Sequence, residues 1–154
     1  MEIPRIQVIT DGTLTALGSS RHAAKSAKLP FTPLTDNIEF KDQDGHGSLS
    51  ELASRMNYGL LITCLWYIRE VDPQNLLLTG LTRDGVYVVR DGQIMGAANN
   101  FRFNESPIEM LSRVTDAGEA IACLPREWAD WFSRAKVAPL TITDFNLSSR
   151  SDAV

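Results

Sequence analysis

The side chains best suited to metal binding and nucleophilic attack are few in this 154-residue chain: His22, His46, Cys64 and Cys123. A catalytic zinc site takes three protein ligands, and the two histidines stand too far apart in sequence to share one helix face. No His-Glu-x-x-His motif or longer-spaced equivalent exists, so zinc catalysis by this chain alone is not expected. His22 reads as a surface residue on a short helix, and His46 as a loop residue between Gly45 and Gly47. Asp42, Asp44, Gly45, Ser48 and Glu51 fall at the third, fifth, sixth, ninth and twelfth places of a calcium loop that would begin at Phe40. Phe40 cannot ligate, and Gly47 stands where an apolar anchor belongs, so the calcium reading is rejected. Cys64 lies among large apolar side chains, where desolvation raises a thiol pKa and suppresses reactivity. Cys123 precedes Leu124, Pro125, Arg126 and Glu127 and is the more accessible thiol, but no histidine or second cysteine stands near it in sequence. There is no Gly-rich phosphate loop and no nucleophile elbow. Arg69, Glu70 and Asp72 cluster at a strand end, which reads as a solvated terminus before it reads as a site.

The elements that must position these groups are also marked. Residues 60–74, "LLITCLWYIREVDPQ", run nine residues before the first charge at Arg69, against about 20 for a membrane-spanning helix. The run is rich in β-branched and aromatic residues and is bounded by Gly59 and Pro73. It predicts a central strand over 60–72, buried on both faces, with a buried helix as the alternative. Asp11-Gly12 and Asp91-Gly92 are hairpin turns, because glycine tolerates the positive φ that tight primed turns demand. A short helix starts near Ser19 or Ser20 and stops at Pro30. A short strand covers 38–40, a polar loop 41–47, and a helix 48–57, where Ser48 and Glu51 form a capping box. Ser106, Pro107 and Glu109 repeat that signature for a helix ending at Gly118. Strands over 75–81, 86–90 and 93–97 form a meander between the two helices. Trp128, Trp131 and Phe132 stand at i, i+3, i+4 and share one face of a short helix after Pro125, for internal packing or for a partner. A last strand covers 139–147, and a flexible tail 148–154.

A formal charge of −4, with no block of like charges, leaves no basic footprint for nucleic acid or an anionic membrane. Two cysteines and no charged-then-apolar leader predict free thiols in a cytoplasmic protein.

In order and spacing, "GLLITCLWYIREVDPQNLLLTGLTRDGVYVVRDGQIMGAANNFRFNESPIEML" resembles the C-terminal domain of the TldD/PmbA family, metallopeptidase-related proteins also described as modulators of DNA gyrase. The resemblance extends over about 4–146. It implies proteolysis inside a dimer cavity, with zinc held by a helical HExxxH pair and a cysteine near the C-terminus. That histidine pair is absent here. Cys123 falls in roughly the region of the terminal ligand, where this chain has "LPREW" in place of the glycines and basic residue of zinc-bearing members. The chain is therefore similar to the PmbA-like branch, which lacks the zinc motif and pairs with a zinc-bearing subunit. The resemblance also implies a larger N-terminal domain, which lies outside the stretch that carries it.

The resulting expectation is an α+β single domain over 1–147, with a mainly antiparallel, curved sheet and a few short flanking helices. By resemblance it is a non-catalytic C-terminal domain, a scaffold that supports peptide hydrolysis with the missing half or a partner subunit. It holds no cofactor of its own, and zinc enters only with an HExxxH-bearing half. It is expected to bind neither nucleic acid directly nor a membrane, and to form a dimer. Two alternatives stand: a fragment of an active zinc metallopeptidase with Cys123 as one ligand, and an interaction module using the Trp128, Trp131 and Phe132 face.

Overall fold

The computed structural model describes residues 9–10, 13–14, 21–31, 37–42, 44–123, 127 and 134–151. Two units divide the chain, Met1–Asp36 and Asn37–Val154. In the first, β1 (Ile9–Thr10) and β2 (Thr13–Leu14) pair antiparallel on either side of the expected Asp11-Gly12 turn, whose two residues lie outside those described. Helix α1 (Arg21–Ala27) follows, with its end closed by the Leu29 N–H donating to the Ala24 carbonyl. Lys28 takes the left-handed conformation that commonly stops a helix.

The second unit is α+β and dominated by antiparallel strands. Its centre is a bent three-strand meander. The first long strand is split into β4 (Tyr58–Ile62) and β5 (Leu65–Asp72), the second into β6 (Leu77–Thr82) and β7 (Val86–Arg90), and the third into β8 (Gln93–Ala97) and β9 (Asn100–Glu105). β4, β7 and β8 form one sheet, while β5, β6 and β9 form another with β14 (Leu147–Ser151) on its far side. Bonds carry across the corner: the Thr63 N–H donates to the Gly85 carbonyl at 3.0 Å, and the Arg83 N–H to the Cys64 carbonyl at 3.0 Å.

The expected single strand over 60–72 is therefore β structure, but it breaks at Thr63-Cys64 and lies at the edge of both sheets. Its burial is correspondingly partial. Cys64 is buried, but Tyr67 is 57% and Val71 56% exposed. Hydrophobic composition reports affinity for a dry environment, whereas position in the sheet is set by which partner strands the chain supplies.

Two close approaches fix this arrangement. At Gly80 any Cβ would stand 2.5 Å from the Phe103 ring, so only glycine lets β6 pass beneath it. At the β7–β8 turn Asp91 and Gly92 have φ of 49° and 75°, the pair of positive values a primed two-residue turn requires. Among the described residues of this unit the buried apolar side chains are Leu52, Ala53, Cys64, Val86, Val89, Phe103, Ala117 and Ala138. Full burial of a valine such as Val89 contributes about 1.5–3 kcal/mol.

Helix α2 (Leu49–Ser54) is shorter than expected, but its capping box is present: the Glu51 N–H donates to Ser48 Oγ at 3.3 Å, and the Ser48 N–H to Glu51 Oε2 at 2.6 Å. Helix α3 (Pro107–Ser112) ends well before Gly118, and Val114–Ala117 become β10. Its Ser106 makes no side-chain cap. The hydroxyl instead donates to the Asn75 carbonyl at 3.0 Å and ties the helix entry to the β5–β6 turn.

The expected last strand is two, β13 (Leu140–Ile142) on β10 and β14 on β9, separated by a turn at Asp144 with φ 52°. Leu147–Ser151 thus lie in a ladder where a flexible tail over 148–154 was expected. β3 (Asn37–Phe40), β11 (Ile121–Cys123) and β12 (Arg134–Val137) make a separate sheet, in which β12 runs parallel to β3.

Candidate functional site

The sheet of β3, β11 and β12 borders a polar concavity. Cross-strand partners share a face, so the register Lys136↔Glu39 and Lys136↔Ala122 puts these three side chains on one side. The register Val137↔Phe40 and Val137↔Ile121, with Cys123↔Ala135, puts an apolar set on the other. The polar side borders a cleft of about 410 Å³ lined by Glu39, Lys41, Asp42, Gly45, Glu119, Ala120 and Lys136. There Glu39 Oε1 stands 3.8 Å from both Lys41 Nζ and Lys136 Nζ. A smaller hollow of about 220 Å³ adjoins Phe40, Leu111, Val114 and Leu140.

The loop leading from β3 to α2 is held in place by backbone hydrogen bonds. The His46 N–H donates to the Ala117 carbonyl at 3.0 Å, and the Glu119 N–H to the Gly47 carbonyl at 2.9 Å. Asp42 Oδ1 accepts from the Asp44 N–H at 2.9 Å, and His46 Nδ1 lies 3.0 Å from the Asp44 carbonyl. Glu51 is consumed by its cap, so the carboxylates that mimic a calcium loop serve turn and cap instead.

Cys123 is an exposed free thiol at the end of β11. Its register places it on the face away from Lys136 and Glu39. Zinc is the metal the family resemblance implies. Among the described residues no group of three His, Cys, Asp or Glu side chains is placed to hold an ion. His22 lies on α1 in the first unit and His46 in the loop of the second; both roles match the surface reading. Cys64 is buried, with its thiol 3.6 Å from the Leu65 carbonyl. Trp128, Trp131 and Phe132, the expected interaction face, lie outside the described residues.

The strand-end cluster is structural. Asp72 accepts from the Gln74 N–H at 2.9 Å and from Asn75 Nδ2 at 2.7 Å, and the Asn75 contact is the main reason its carboxyl is held below the ordinary range. Arg69 pairs with Glu127 at 2.9 Å, and Glu127 also accepts the Ile68 N–H at 2.9 Å. That amide is available because β5 bulges between Trp66 and Arg69, with Tyr67 at φ 55°.

Sequence reading also missed a buried clamp. Glu105 accepts from Arg113 Nη2 at 2.6 Å and from the Asn146 N–H at 2.6 Å, and Arg113 Nη1 reaches the Thr143 carbonyl at 3.1 Å and the Asp144 carbonyl. It fastens β9, the end of α3 and the β13–β14 turn together. Glu105 is buried and Arg113 only half-buried, so loss of the guanidinium leaves a buried carboxylate without its cation, which is destabilising. The partners are scattered over 105–146, and nothing local in the sequence announces them.

No described helix is long and apolar enough to cross a membrane. A family model described as the PmbA/TldA metallopeptidase C-terminal domain matches residues 1–149. The crystal structure of TldE from Thermococcus kodakarensis resembles this chain with a TM-score of 0.52 at 16% sequence identity, over 68% of this chain and 22% of that one. At that identity the likeness is one of fold, and this chain spans about a fifth of the relative's length. No curated protein matches.

Proposed function

The chain belongs to the TldD/PmbA family through its C-terminal domain, and from that membership we propose that it is a non-catalytic scaffold, supporting peptide hydrolysis whose zinc site is carried by a partner subunit of the same family. The observation that carries this reading is the isolation of Cys123. It is the one residue of the second unit that the family pattern offers as a ligand, and it ends an exposed strand with no second and third donor beside it among the described residues. A scaffold needs a well-fastened sheet more than a reactive group. The half-buried Glu105–Arg113 pair and the Glu127 contact to β5 supply the fastening. A reducing, cytoplasmic setting suits its two free thiols.

The experiment is reconstitution. The purified chain is assayed for peptide hydrolysis alone and with an HExxxH-bearing family subunit. Hydrolysis is expected only with the partner, and at a higher rate than the partner reaches by itself. Hydrolysis by the isolated chain with a tightly held metal overturns the proposal.

A further inference from the structure

We propose that the polar cleft beside β3 and β12 is a binding site for the two ends of a short peptide, with Lys41 and Lys136 taking the α-carboxylate and Glu119 the α-ammonium group. The charges along its lining do not balance locally. Lys136 lies opposite Glu39 in the β12–β3 register, and Lys41 follows Glu39 by two residues, so both ammonium groups come to the same oxygen, Glu39 Oε1, at 3.8 Å each. One carboxylate shared by two cations leaves a positive charge over. Neither lysine has another ion-pair partner among the described residues.

The rest of the lining carries the reverse excess. The His46 N–H to the Ala117 carbonyl and the Glu119 N–H to the Gly47 carbonyl hold the loop after β3 against residues 117–119, and both Asp42 and Glu119 border the cleft. Asp42 is engaged by the Asp44 N–H at 2.9 Å. The exposed Glu119 carboxylate meets neither a cation nor a hydrogen-bond donor among the described residues.

A ligand of one sign is attracted by part of this lining and repelled by the rest, whereas a ligand that carries a cation and an anion a short distance apart satisfies both. A peptide with free ends is such a ligand at neutral pH, since its α-carboxyl ionises near about 3.5 and its α-amine near about 8. The volume of about 410 Å³ falls within the roughly 300–1,000 Å³ of small-molecule sites. Among the described lining residues only Gly45 and Ala120 are uncharged. The cleft thus offers no apolar pocket for a side chain, and the ends of the peptide are read rather than the sequence between them. Binding here needs neither zinc nor a partner subunit, so it goes beyond the scaffold reading and is measured on the chain by itself.

The test is a residue-resolved NMR titration at pH 7 with trialanine, trialanine amide, N-acetyl-trialanine and inorganic phosphate. Trialanine is expected to shift the Lys41, Ala120 and Lys136 amides at millimolar concentration. Blocking either end should weaken it roughly fivefold, the worth of one exposed ion pair. Lys136→Gln should weaken trialanine and spare the amide, and Glu119→Gln should weaken trialanine and spare the N-acetyl peptide. The four ligands on the wild-type chain decide the matter even if a variant fails to fold. The proposal is overturned if millimolar trialanine leaves the cleft amides unmoved or if the blocked peptides bind as well as the free one. Phosphate binding as tightly as trialanine overturns it too, because the cleft would then be a simple anion site. The reconstituted hydrolysis can succeed or fail without changing any of these outcomes.

Discussion

At Asp116 the Arg55 guanidinium, 2.7 Å away, is the main influence holding the carboxyl below its ordinary range. Three other carboxylates are displaced in the same direction: Glu51 through the Ser48 N–H and hydroxyl, Asp72 through Asn75 and Gln74, and Glu127 against a larger opposing effect of burial, which the Ile68 N–H and Arg69 together outweigh. A carboxyl whose folded-state pKa is depressed stabilises the fold above its unfolded value, and that stability is lost as pH falls through the lower folded value. Acid should therefore loosen a cap, a turn and two inter-element contacts together, in a window beginning near pH 4 and extending downward. The check is the urea midpoint measured against pH. Asp116→Asn should lower it at neutral pH and flatten its decline in acid, and a variant profile parallel to wild type would remove Asp116 from the account.

At the scale of elements, turn chemistry decides where strands meet. Gly92 has φ of 75°, and a Cβ there would stand 2.4 Å from the Ser54 carbonyl oxygen. Gly92→Ala should cost at least about 1–2 kcal/mol from the left-handed backbone alone, with more from the displaced end of α2, read as a lower denaturation midpoint. That turn was legible in the sequence because everything it needs lies within two residues. The Ser48–Glu51 box was legible for the same reason, three residues apart. Ser106 carries the same signature, but a carbonyl 31 residues away takes its hydroxyl. Where a local rule and a distant acceptor compete, sequence shows only the first. The break at Thr63-Cys64 was hidden likewise. A corner exists only where two neighbouring strands turn together, and Gly85 and Arg83 supply the other half of it. Cys123 was identified as the accessible thiol from its surroundings in sequence, whereas the face it occupies depends on β12 and could only be read from the register.

At the scale of the whole molecule, large apolar residues such as Tyr58 and Ile108 stand exposed, and among the described residues no group of three metal donors includes Cys123. The chain matches the family's C-terminal domain and spans about a fifth of the solved relative's length, and the scaffold proposal assigns it shape rather than a metal ligand. The most direct test is the zinc content of the assembly formed with an HExxxH-bearing family subunit, compared between wild type and Cys123→Ser. Equal zinc in the two is the predicted result. Loss of zinc with the Cys123 sulfur would make this chain part of the metal site and contradict the scaffold account.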